Sequence, residues 1–161
     1  MHKILTFIGS GEIFGYRAAP ADEHYAANAS THCSTTLLAY PISPVRRLLD
    51  ESPRLMRLIL QQPARELGTA DRRLVTLTRD MQRERMAETL LYLHSAYANP
   101  TNHHAIGLAL TRREPAELSN MSTSNAIRTL KAFEQEGAIS FTSRTVRILD
   151  EAKLRAFAQL G

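Results

Sequence analysis

Cysteine is all but missing from this chain of 161 residues: Cys33 is the only one. That excludes an intrachain disulfide, and it excludes a zinc or iron–sulfur centre built on the cysteines of one chain. It agrees with a reducing compartment, the cytoplasm. No run of about 18 apolar residues occurs, so no membrane-spanning helix is expected. The opening MHKILTFIGSGE lacks the long apolar region of a secretion signal. Lysine is scarce as well. Lys3, Lys131 and Lys153 are the only three, so 17 of the 20 basic residues are arginine, with a net charge of +4 and a pI near 9.6. Arginine grips phosphates and guanine edges through two parallel N–H groups, so this balance suits nucleic acid. On charge alone a solvated basic surface is the simpler reading. Hydroxyl, histidine and acidic residues nowhere group into a nucleophile elbow or a metal-binding motif. We therefore expect no catalytic residues, no metal, no cofactor and no enzyme. His24 and His32 stand alone, and His103 and His104 are adjacent in what reads as a loop, poor geometry for one metal ion.

What is present is a hydrophobic fraction of 43%, enough for at least one core. Residues 3–8 are apolar and β-prone and stop at Gly9-Ser10-Gly11; residues 12–16, 24–32 and 34–40 read as further short strands. Four such strands are too few to close a barrel. From Ser43 the pattern turns helical, with Ser43 and Ser52 as caps, each followed by a proline suited to a first helical turn. Pro63 is expected to break the second helix. Residues 64–98 carry no proline and read as one long helix in which Leu67, Leu74 and Met81 fall seven apart, with Leu77 and Glu84 at the alternate heptad position. That spacing suits a dimer seam made by Leu67, Leu74, Leu77 and Met81, although two to three heptads also fit a helix packed within its own domain. Asn99-Pro100-Thr101-Asn102 reads as the loop that ends it.

Residues 111–149 carry the most specific pattern. Thr111 and Glu114 form a capping-box signature opening a short helix to about Leu118, and Ser119-Asn120-Met121 makes a turn. Pro115, at the fourth helical position, is expected to remove a backbone bond and strain that helix. Ser122 caps a second helix reaching about Glu136. Its buried face is Ala126, Ile127, Leu130 and Phe133, and its other face is Thr123, Ser124, Asn125, Arg128 and Lys131. Gly137 stands where a left-handed residue ends a helix. Residues 138–141 and 145–149 alternate as a hairpin around Thr142-Ser143-Arg144, and Asp150 caps a last helix bearing Leu154, Phe157 and Leu160. This is the plan of a winged helix-turn-helix. The polar face of its second helix would enter the major groove of double-stranded DNA, with Thr111, Arg112 and Arg144 near phosphates. The same fold used for protein contacts is the alternative.

Thr111-Arg112-Arg113-Glu114, Ala116-Glu117-Leu118, Ser122, Arg128-Thr129-Leu130, Phe133 to Ile139 and Val146 to Asp150 resemble the Crp/Fnr family of bacterial transcription regulators. Arg83 to Leu91 resembles the family's junction helix, and Gly11-Glu12-Ile13-Phe14-Gly15 its effector-domain β-roll. The resemblance implies a mainly α fold with small β. It implies a partial cyclic-nucleotide-binding-like effector domain at 1–62, a dimerisation helix and junction at 63–98, and a winged helix-turn-helix at 99–161. It implies a homodimer on a two-fold DNA site, with RNA polymerase as a further partner. Effector contacts would fall on Gly11, Glu12, Tyr25 and Ala26. The family's cyclic-nucleotide binders place Arg-Ser or Arg-Thr where this chain has Tyr25-Ala26, and a phenol and a methyl cannot neutralise a phosphate, which argues against cyclic AMP and leaves the effector unknown. Thr123-Ser124 replaces the usual Arg-Glu reading pair, so a different operator is expected. The family also has strands and a helix ahead of the Gly-Glu motif, so a truncated member or a fragment is implied. As such, the chain could instead be an interaction module that dimerises with relatives without itself reading DNA.

Overall fold

A computed structural model describes residues 4–18, 23–78, 81–142 and 144–159. Lys3 of the first expected strand, Ser143 of the hairpin loop and Leu160 of the last helix lie outside the described residues. The helices are α1 (Ile42–Glu51), α2 (Pro53–Leu77), α3 (Gln82–Ala96), α4 (Arg113–Leu118), α5 (Thr123–Gln135) and α6 (Glu151–Ala158). The strands are β1 (Ala98–Asn99), β2 (Asn102–Ile106), β3 (Ile139–Thr142) and β4 (Thr145–Ile148), in one antiparallel sheet of order β1-β2-β4-β3. The chain divides into two compact units, Ser10–Asp71, and Met1–Gly9 with Arg72–Gly161.

No strand forms among the described residues before Ala98, which corrects the four expected strands. A strand exists by pairing, and none of these segments finds a ladder partner. Leu37, Leu38 and Tyr40 are accordingly exposed. Helix α1 begins at Ile42, one residue before the expected cap, with Pro41 in the cap position. Ser52 caps α2 as expected, its Oγ accepting from the Leu55 N–H at 3.3 Å. Pro63 does not break α2 but lies inside it. One missing i→i−4 bond is outweighed by good helix formers on both sides, and the Gln62 side chain bridges to Glu66 across the proline at 3.0 Å.

In the second unit the expected single helix over 64–98 is two. Helix α2 ends at Leu77, where the Thr78 hydroxyl takes the Val75 carbonyl at 2.7 Å, a local bond that competes with helix propagation. Met81, extended at φ −76° and ψ 112°, is the N-cap of α3 and so stands off the helix that carries Leu67, Leu74 and Leu77. Residues 99–102 are not a terminal loop but the turn of a hairpin. The Asn99 Oδ1 accepts from the N–H groups of Thr101 and Asn102 at 2.9 and 3.1 Å, and β2, which carries His103 and His104, follows. Gly107 is needed for close approach, since a Cβ there would meet the Tyr97 carbonyl at 2.9 Å. The core gathers Met86, Leu90 and Leu93 of α3, Leu118 of α4, Leu130 and Phe133 of α5, Val146 and Ile148 of β4, and Leu154 of α6.

Candidate nucleic-acid interface

The short helix α4 starts at Arg113, one residue later than expected. Glu114 reaches back as the capping signature requires, its carboxylate accepting from the Thr111 N–H at 2.5 Å and from the Thr111 hydroxyl at 2.9 Å. Arg112 already has helical dihedrals, φ −67° and ψ −15°, and the Thr111–Glu114 bonds make Thr111 the cap, so Pro115 stands at the expected fourth helical position, where it has no N–H to give the Thr111 carbonyl. Helix α4 nevertheless forms, through Leu118, with Pro115 inside it. The residue is buried, and its carbonyl accepts from the Ser119 N–H at 3.0 Å and the Ser119 hydroxyl at 2.7 Å.

Both helices of the motif end in the same way. In α4, Asn120 takes the left-handed conformation at φ 53°, and the N–H groups of Asn120 and Met121 return to the carbonyls of Glu117 and Ala116. In α5, Gly137 does so at φ 74°, with the Gly137 and Ala138 N–H groups on Glu134 and Phe133. These are Schellman closures, each satisfying two orphan carbonyls. Ser122 caps α5, its Oγ accepting from the Asn125 N–H at 3.3 Å.

Helix α5 buries Ala126, Thr129, Leu130 and Phe133. Ile127 is half-buried, and Thr129 takes the place on the core face that apolar spacing alone assigned to it. Thr123, Ser124, Arg128 and Lys131 are exposed and Asn125 half-buried, so the polar residues singled out above share the outward face of one helix. Strands β3 and β4 form the wing, in register from Ile139↔Ile148 to Thr142↔Thr145. The wing is tied to α5 by the Glu134 carboxylate, which accepts from the Phe141 N–H at 2.7 Å, a contact that alternation patterns do not reveal. Arg144, exposed at the wing tip, donates to the Ala109 carbonyl at 3.4 Å. Arg112 does not stand free beside it. Its guanidinium lies 4.8 Å from the Phe141 ring centre, with Nη1 buried and without a hydrogen-bond partner.

Behind α5, Arg83 of α3 lies over Phe133 and Phe157 at 5.0 and 4.7 Å, and the two rings stack with centroids 4.9 Å apart. Its Nη2 also bonds Glu136 at 2.8 Å. That bond holds the Glu136 carboxyl below its ordinary range, so its stabilising share is present above the unfolded-state value and lost as pH falls through the folded one. Both side chains are about 40% exposed, which limits the pair to roughly 0–1 kcal/mol. Glu136→Gln should therefore lower stability at pH 7 by no more than that and leave stability at pH 3 nearly unchanged, which flattens the acid limb below about pH 4.5. Urea titrations at pH 7 and pH 3 check this.

Of the residues expected to line the dimer seam, Leu67 and Leu74 are 63% and 65% exposed, Leu77 is half-buried, and Met81 is exposed off the end of their helix. Of the expected effector contacts, Gly11 has a φ of 80°, Glu12, Tyr25 and Ala26 are exposed, and the Tyr25 ring covers Gly15, where a Cβ would meet its Cε1 at 3.3 Å.

A short capped helix, a left-handed turn, a second helix with one polar exposed face and a two-stranded wing packed behind it define a winged helix-turn-helix protein. Residues 84–157 match the family model described as the Crp-like helix-turn-helix domain. Over these residues the chain carries a Crp-like helix-turn-helix domain, and it is similar to transcription regulators of the Crp/Fnr family. It is 26% identical over 137 residues to the transcriptional activator protein anr of Pseudomonas aeruginosa, covering 84% of this chain and 56% of that one. It is 27% identical over 145 residues to the cAMP-activated global transcriptional regulator CRP of Haemophilus influenzae (89% and 64%), and 27% over 157 residues to the nitrogen fixation regulation protein FixK of Bradyrhizobium diazoefficiens (97% and 65%). The chain thus spans less than two thirds of the length of these relatives. Its fold matches the structure of FixK2 from Bradyrhizobium japonicum with a TM-score of 0.66 at 19% identity, over 74% of this chain and 59% of that one. No helix among the described residues is long and apolar enough to cross a membrane.

Proposed function

We propose that this chain is a sequence-specific, DNA-binding transcription regulator that acts in the cytoplasm, with α5 in the major groove and without catalytic chemistry. The observation that carries this reading is the division of α5: Ala126, Leu130 and Phe133 are fully buried, while Thr123, Ser124, Arg128 and Lys131 stand in solvent. Small polar residues on the first turn let the helix approach base edges, and Arg128 follows one turn later, in reach of a guanine edge or a phosphate. Thr111 and Arg144 lie near phosphates, and Arg112 supports the wing through Phe141. Residues 63–98 couple the two-fold axis to the reading head at 99–161, with Leu67, Leu74 and Leu77 facing a second copy. Residues 1–62 derive from an effector domain whose ligand is not cyclic AMP, since neither Tyr25 nor Ala26 offers a cation to a phosphate. RNA polymerase is a further partner of such a regulator.

Arg128→Ala is expected to weaken specific binding by about 1–3 kcal/mol. Fluorescence anisotropy against mixed duplexes, followed by competition with the selected site, measures it. Should the native chain bind no duplex at low salt, the reading fails. The exposure of Leu67 and Leu74 then favours the second one, a module that pairs with relatives and does not read DNA.

A further inference from the structure

The Schellman closure of α4 leaves two backbone acceptors unsatisfied. Asn120 and Met121 take the carbonyls of Glu117 and Ala116, but those of Leu118 and Ser119 have no partner within the motif. Both are met by guanidinium groups from outside it. Arg73, in the last two turns of α2, donates from Nη2 to the Leu118 carbonyl at 3.3 Å. Arg85, in the first turn of α3, donates from Nε to the Ser119 carbonyl at 3.1 Å. The α2–α3 connection is thus pinned on either side to consecutive carbonyls of the turn that aims α5.

Arg73 is the more constrained of the two. Its Nη1 donates to the Leu5 carbonyl at 2.6 Å, and its guanidinium lies 4.9 Å from the centre of the Tyr92 ring. The segment carrying Leu5 is itself held, by the Tyr97 hydroxyl donating to the Phe7 carbonyl at 2.5 Å and by the edge-on contact of the Phe7 and Tyr97 rings. One planar group therefore joins α2, α3, the 4–9 segment and the helix-turn-helix. Leu74, the next residue along α2, is 65% exposed and is assigned to the dimer seam above.

We propose that Arg73 is a positioning residue for DNA recognition: by holding the Leu118 carbonyl it fixes the pose of the reading head against the last turns of α2, and so against the two-fold axis. This rests on the DNA-binding reading given above. Arginine suits the task because its rigid fork bonds two carbonyls at once, whereas a lysine ammonium on a flexible stem holds one well.

The test uses the full chain with Arg73→Met, Arg73→Lys and, as a control that loosens only the 4–9 segment, Tyr97→Phe. Amide hydrogen exchange is read at Asn120 and Met121 and, for comparison, across β3 and β4, and DNA affinity is read across a salt series. Arg73→Met should speed exchange at Asn120 and Met121 by roughly tenfold with β3 and β4 unchanged, and should lower affinity by roughly tenfold. The salt dependence should stay as in the native chain, because no phosphate contact is removed. Arg73→Lys should fall between, and Tyr97→Phe should leave the turn amides as they were. Unchanged exchange at Asn120 and Met121, faster exchange everywhere alike, a shallower salt dependence in Arg73→Met, or full rescue by Arg73→Lys would each overturn the assignment. If the native chain binds no DNA, it is the functional reading that fails; the exchange arm, which needs no DNA, then decides whether Arg73 holds the turn.

Discussion

Phe133→Ala is expected to lower the unfolding free energy by about 3–5 kcal/mol, the range for truncating a fully buried aromatic side chain. Phe133 is 0% exposed, and three contacts converge on it. It stacks with Phe157 at 4.9 Å, so α6 loses its ring partner on α5. It carries the Arg83 guanidinium on its face, so α3 loses a cation–π contact and the alignment of the Arg83–Glu136 bond is disturbed. Its carbonyl also closes α5 through the Ala138 N–H at 2.9 Å, so a shift of this turn propagates to Gly137 and the wing. Urea denaturation followed by circular dichroism measures the loss. A change below about 1 kcal/mol would mean that the site collapses around the smaller side chain and that the packing described here does not hold α5 in place.

DNA affinity is expected to fall by about a thousandfold between 50 and 200 mM salt. The chain exposes Arg128 and Lys131 on the outward face of α5 and Arg144 at the wing tip. A dimer on a two-fold site would neutralise about six phosphates, for a slope of log affinity on log salt near −5. Arg144→Ala should make that slope shallower by about two, one contact per protomer, while affecting all duplex sequences alike. Arg112→Ala should not, because its guanidinium is engaged with Phe141 and its Nη1 is buried. A slope near zero at low salt would remove phosphate contact as the basis of binding. A slope half as steep would point to one reading head engaged at a time.

The two effects have a common origin in the way α5 is divided. The stability of the reading head depends on the buried side of this helix, and its proposed use depends on the exposed side. The substitutions that test one leave the other in place: Arg128 and Lys131 are exposed and Arg144 lies at the wing tip, all outside the core that surrounds Phe133.

The sequence by itself determined what is local. Ser52, Ser122 and Asp150 act as caps because a hydroxyl or carboxylate three residues before a free N–H needs no distant partner. Gly137 ends α5 because few other residues take a positive φ without strain. The wing hairpin was legible for the same reason, its strands being two residues apart and alternating with period two. The outward face of α5 followed from helical spacing, with Thr129 as the exception, because burial of a small polar side chain depends on what packs against it.

The tertiary structure decided what depends on residues far apart. Strand β2 was read as part of a loop because one of its ladder partners, β1, is only two residues long and the other, β4, lies some forty residues on, with Ala105 opposite Arg147. The segments before residue 41 read as strands from composition, but composition cannot supply a neighbouring strand. The end of α2 at Leu77 and the continuation of the helix through Pro63 each turn on one backbone bond being present or absent, which apolar periodicity does not encode. The partners of Arg73, Arg83 and Arg112 were hidden altogether: a guanidinium is equally at home in water, on a ring or on a carbonyl, and only the packed chain selects among them.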